Sequence, residues 1–136
     1  MRNGSGTLSG DPAVISRTFP PHPTTARAAR QFVVEALADR SDETIDAACL
    51  LTSELVTNAV IHAQTDVKVT ALLSAAAVRV EVVDSSLRPP VRAVTPPEAT
   101  RGRGLHLVNS VADAWGYEPG PPNKVVWFEL TTPGRS

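Results

Sequence analysis

The segment Arg101-Gly102-Arg103-Gly104-Leu105 sets two glycines two residues apart at the start of a helical pattern. Such a segment offers backbone amides unhindered by side chains together with a helix N-terminus, and both suit a phosphate group. A flexible start to an ordinary helix reads the same way. The spacing is not a Walker loop, since no GKS or GKT is present. No GxGxxG follows the first strand, as a dinucleotide-binding turn requires. Upstream, Glu54, Asn58 and His62 are spaced by four and so line one face of a helix, offset from its apolar stripe. A solvated polar face has the same pattern. Asp84 closes the apolar-rich stretch 80–83, which places a carboxylate at a strand terminus beside a long loop. Taken alone, an acid there is ordinarily a turn residue.

The elements that must position these groups follow from periodicity. Residues 14–19 (VISRTF) alternate apolar and polar, the pattern of a short strand, and PPHP at 20–23 stops it. Thr24 or Thr25 can cap a first helix whose stripe is Ala28, Phe32, Val33 and Leu37. Ser41 and Thr44 flank the start of a second, running from Ile45 to about His62, with Asp42 and Glu43 suiting the helix dipole. Its apolar stripe is Ile45, Ala48, Leu51, Leu55 and Ala59. Segments 66–73 (DVKVTALL) and 78–83 (VRVEVV), joined by a short connection, predict an antiparallel hairpin. Residues 88–103 are rich in proline and arginine without apolar periodicity, longer than ordinary connections and suited to a lid or binding loop. A helix is expected over 105–114, a brief strand over 115–117 and a last strand over 124–130 (KVVWFEL). This order predicts an α+β two-layer sandwich, a mixed, mainly antiparallel sheet with helices on one face.

Bulk composition narrows the function classes. The chain has 136 residues, 42% of them apolar, which fits one domain with a real core, expected over 13–131 after a loose tail at 1–12. The net charge is −1 and the basic residues are scattered, which argues against nonspecific nucleic-acid binding; no basic recognition helix is present either. The N-terminus lacks the apolar core of a signal peptide, and no apolar run approaches the ~20 residues of a membrane span. One cysteine, Cys49, rules out an internal disulfide and fits a reducing compartment; it reads as a small buried hydrophobe. A cytoplasmic protein is expected.

The order of these motifs resembles the ATP-binding superfamily of histidine kinases, type II topoisomerases, the large heat-shock chaperone and mismatch-repair ATPases. Within it, SELVTNAVIHA, VEVVDSSLRPP, GRGLHLVNSVADAWG and KVVWFEL look like the actinobacterial branch of anti-sigma-factor serine/threonine kinases. The resemblance spans nearly all of 19–130. It implies ATP and Mg²⁺ as ligands. Asn58 matches the asparagine that coordinates Mg²⁺, and Glu54 the acid that orients or deprotonates the attacking hydroxyl. Asp84 matches the carboxylate that accepts from the adenine amino group. Gly102, Gly104 and Leu105 match the lid over the phosphates, and Arg101, Arg103 or Lys124 could add positive charge. His62 matches a frequent family position, and a histidine facing the helix dipole explains it equally well. Two departures stand out. Ser86 replaces the glycine of the usual DxG, where a side chain could narrow the site or contact the nucleotide. The segment 88–103 is short beside histidine-kinase lids and carries Pro89, Pro90, Pro96 and Pro97.

Two functions follow from the resemblance. In the first, the protein binds ATP and Mg²⁺, phosphorylates Ser/Thr of an anti-anti-sigma partner and holds a sigma factor inactive. In the second, a degenerate nucleotide domain regulates a partner by docking, without catalysis. The family pattern also points to a homodimer through the first strand or first helix. A histidine-kinase catalytic half is not expected, since 136 residues leave no room for a separate helical domain that presents a phosphorylated histidine.

Overall fold

The structure is a computed structural model that describes residues 13–62, 65–85, 111–118 and 123–131. Its elements are β1 (Ala13–Phe19), α1 (Thr25–Ala36), α2 (Asp42–His62), β2 (Val67–Leu73), β3 (Ala77–Asp84), β4 (Ala114–Glu118) and β5 (Lys124–Thr131). The five strands form one sheet in the order β1-β2-β3-β5-β4, and all four strand pairs are antiparallel. Both helices pack on one face of it, giving the expected two-layer sandwich.

The layering follows from alternation along the strands. In β3, Val78, Val80, Val82 and Asp84 are buried, while Arg79, Glu81 and Val83 are partly exposed. In β5, Val126, Phe128 and Leu130 turn inward with Lys124, and Trp127 and Glu129 turn out. The outer face carries its own polar order. Arg79 stacks 4.0 Å over the Trp127 ring and pairs with Glu81 at 2.9 Å and Glu129 at 3.1 Å. The Trp127 ring lies across Gly116, where a Cβ would fall 2.5 Å from the ring, so β4 can pass beneath it only with glycine at that position. Charge and a half-exposed indole thus stand on this face beside the partly exposed Leu72, Val83 and Val125.

The helices meet the inner face through the stripe of α2. Ala48, Leu51, Leu55, Val56 and Ala59 are buried against Val78, Val80 and Phe128, with Phe32 and Val33 of α1 in the same core. By length and composition α2 would pass as a membrane span, with mean hydropathy 1.3, yet this stripe lies in the core of the sandwich. Ser41 caps α2, its Oγ accepting from the Thr44 amide at 3.2 Å. Arg30 of α1 donates to Ser53 Oγ of α2 at 2.9 Å. Leu51→Ala is expected to cost ~2–5 kcal/mol in a denaturant titration, because Leu51 is fully buried where α2 meets the sheet. A loss under 1 kcal/mol would place that stripe outside the core.

Three expectations are corrected. Ala28 is exposed and Ala29 is buried, because the inward stripe of α1 reaches back from Phe32 by three residues rather than four. Thr24 makes no side-chain cap on α1; instead the Thr25 hydroxyl donates to the Pro20 carbonyl at 2.5 Å, tying the helix start to the proline turn. The helix expected over 105–114 does not run to its predicted end. The Asp113 amide donates to the Glu129 carbonyl at 2.9 Å and Ala114 already belongs to β4, whose pairing to β5 claims the backbone there. Residues 105–110 lie outside the described residues.

Candidate functional site

The topology gathers several chain ends at one end of the sheet. Between the last residue of α2, His62, and the first of β2, Val67, only four residues intervene. Because β2 and β3 are antiparallel with Lys68 opposite Val83, the C-terminal end of α2 lies by the end of β3, where Asp84 sits. A hydrogen bond fixes this: the Ser85 amide donates to Thr65 Oγ1 at 3.2 Å. Antiparallel pairing of β3 with β5 brings Lys124 opposite Asp84. Thr65 was not singled out from sequence; a short polar linker between helix and strand carries no distinctive signal.

On α2, Glu54 and Asn58 are each half-buried and one turn apart, about 5–6 Å along the axis. Neither makes a side-chain hydrogen bond among the described residues, whereas a structural amide in a half-buried position normally spends its donors and acceptor on the protein. This donor chemistry fits a hard cation held partly by phosphate oxygens, since Mg²⁺ is commonly bound through one or two protein oxygens with phosphate and water completing its shell. Among the described residues no group of three or more His, Cys, Asp or Glu could hold a metal ion on its own.

Asp84 is 3% exposed and its Oδ2 stands 3.6 Å from Lys124 Nζ, itself on a residue 5% exposed. Sequence had allowed Lys124 as a source of positive charge without placing it; the register of β5 against β3 does so. His62 closes α2 at this end of the sheet. Ser86, Arg101, Gly102, Arg103, Gly104 and Leu105 lie outside the described residues.

Cys49 takes no part in the site. It is half-buried on the side of α2 that faces α1, where its thiol lies 3.8 Å from the Arg30 carbonyl. Burial, and then Asp46, push its pKa up, against a smaller lowering by Arg30, so it remains a thiol at neutral pH.

The family model of the histidine kinase-like ATPase domain matches residues 19–130. Among solved structures, the crystal structure of the RsbU and RsbW domains of Rv1364c from Mycobacterium tuberculosis is similar at a TM-score of 0.68 and 20% identity. The match covers 90% of this chain and 34% of that one, so the present chain spans about a third of its length. No curated protein matches. The chain belongs to the histidine kinase-like ATPase domain family.

Proposed function

We propose that this histidine kinase-like ATPase domain binds ATP with Mg²⁺, phosphorylates a serine or threonine of an anti-anti-sigma partner, and sequesters a sigma factor in the cytoplasm. The observation that supports the reading is that the C-terminal end of α2, the helix carrying Glu54 and Asn58, lies beside the end of β3 that carries Asp84, so two separate stretches of sequence converge there. Membership of a family whose members typically bind ATP and Mg²⁺ supports the ligand class, and the partner class rests on the resemblance of the sequence motifs to anti-sigma-factor kinases.

In this reading Asn58 offers its amide oxygen to Mg²⁺, whose charge would neutralise the phosphates. Glu54, one turn earlier, would orient the partner's hydroxyl and take its proton as the oxygen bonds to the γ-phosphorus and the bond to the β–γ bridging oxygen breaks, with ADP leaving. Asp84 accepts from the adenine amino group. Ser86 contacts the nucleotide beside it, and His62 borders the phosphates from the end of α2. Gly102, Gly104 and Leu105 close over the phosphates with their amides, and Arg101 and Arg103 add positive charge. A homodimer would form through β1, an edge strand on which Val14 is 58% exposed.

One observation favours a second reading. Ser86 stands where the family pattern has glycine, which suits a domain that regulates a partner by docking without transfer. Incubation with γ-labelled ATP and candidate anti-anti-sigma proteins separates the two. Label on a partner serine or threonine supports the kinase. Stable partner binding with no label on any candidate supports the docking module.

A further inference from the structure

The pairing of Asp84 with Lys124 is an unusual way to finish two core strands. Both residues continue the inward alternation, Asp84 after Val80 and Val82, Lys124 before Val126 and Phe128. Their side chains are 2% and 6% exposed. A lysine at a strand end ordinarily extends its four-carbon stem and keeps the ammonium in water. Here the stem turns inward and the ammonium is buried beside a buried carboxylate. Such a pair is a poor source of stability, since desolvating both charges offsets most of their attraction and two apolar side chains would serve the core as well. Its position at the end of the sheet where α2, the helix carrying Asn58 and Glu54, terminates points to ligand recognition instead.

We propose that Lys124 reads the base of the bound nucleotide alongside Asp84, donating to adenine N1 while Asp84 accepts from the exocyclic amino group. This rests on the ATP-binding reading above and adds a specificity-determining residue to it. The Watson–Crick edge of adenine presents a donor, the N6 amino group, directly beside an acceptor, N1. An acceptor and a donor held 3.6 Å apart by strand register match that pair in type and order. Guanine presents the reverse order, with the O6 acceptor where adenine has its amino group and N1–H beside it. An ammonium carries three N–H groups, and a carboxylate two oxygens with four lone-pair sites, so each can hold a contact to the base beside its protein partners. The ion pair keeps each group desolvated and aimed before the nucleotide arrives, so the base meets a donor and an acceptor already in place.

The test is calorimetric titration of the full chain with Mg-ATP and with Mg-1-deaza-ATP, in which carbon replaces N1. The wild type is expected to bind the deaza analogue about tenfold or more weakly than ATP, as befits loss of a hydrogen bond from a charged donor. In Lys124→Met the two nucleotides are expected to bind within about twofold of each other, because the group that distinguishes them is gone. Equal affinity of the wild type for both nucleotides overturns the role of Lys124 while leaving ATP binding intact. A Lys124→Met protein that keeps the full preference for ATP also overturns it, by assigning N1 to another group. Binding of neither nucleotide by the wild type overturns the ATP reading itself, and this inference with it. The wild-type comparison needs no variant, so it decides the matter even where Lys124→Met does not fold.

Discussion

Asn58→Ala is expected to remove the magnesium-dependent part of ATP affinity, a loss of roughly tenfold to a hundredfold, while leaving the fold unchanged. The size follows from losing a contact between a protein oxygen and a charged centre, which is stronger than a neutral hydrogen bond. The silence in stability follows from the structure. The Asn58 amide is half-buried and makes no hydrogen bond among the described residues, so its removal orphans no partner there. Alanine is also the better helix former by ~0.5 kcal/mol. Parallel titrations with and without Mg²⁺, together with thermal unfolding of both proteins, check the two halves separately. A sharp fall in the unfolding midpoint with retained magnesium dependence would make Asn58 a structural residue.

Glu54→Gln carries the second large effect. Glutamine preserves the shape and helix propensity of the side chain but cannot accept a proton. Nucleotide affinity is therefore expected to stay within about twofold of wild type, while the rate of transfer to a protein hydroxyl falls by ~10²–10⁴. Glu54 is half-buried one turn before Asn58 on the same helix, so in the proposed reading it would stand within a turn of the residue that holds the magnesium. Single-turnover transfer with saturating ATP separates the chemical step from binding. Equal rates for mutant and wild type would take Glu54 out of the mechanism and favour the docking reading prompted by Ser86.

Much of this was legible in sequence because it is local. The hairpin of β2 and β3 follows from period-two alternation on both sides of a short connection, and the core stripe of α2 follows from spacings of three and four. Asp84 at a strand end, and Glu54 and Asn58 a turn apart, could be read the same way. What escaped is set by nonlocal register. The partner of Asp84 lies forty residues along the chain, and only the β3–β5 register brings Lys124 to it. A shift of one residue would turn that ammonium to the outer face. The choice between Ala28 and Ala29 was undecidable from spacing alone, since both lie one turn from Phe32 and the tilt of α1 on the sheet selects between them. Ala114 fits a helical pattern in isolation, but pairing with Glu129 across the β4–β5 ladder decides its conformation.

The central claim is that this sandwich binds ATP through a magnesium-dependent site, and titration calorimetry of the purified protein with ATP, with and without Mg²⁺, tests it most directly. Saturable binding at one site per chain, strengthened by about tenfold or more when Mg²⁺ is present, is the predicted result. No heat of binding at millimolar nucleotide under either condition would contradict it and leave a partner-docking module on a nucleotide-binding fold.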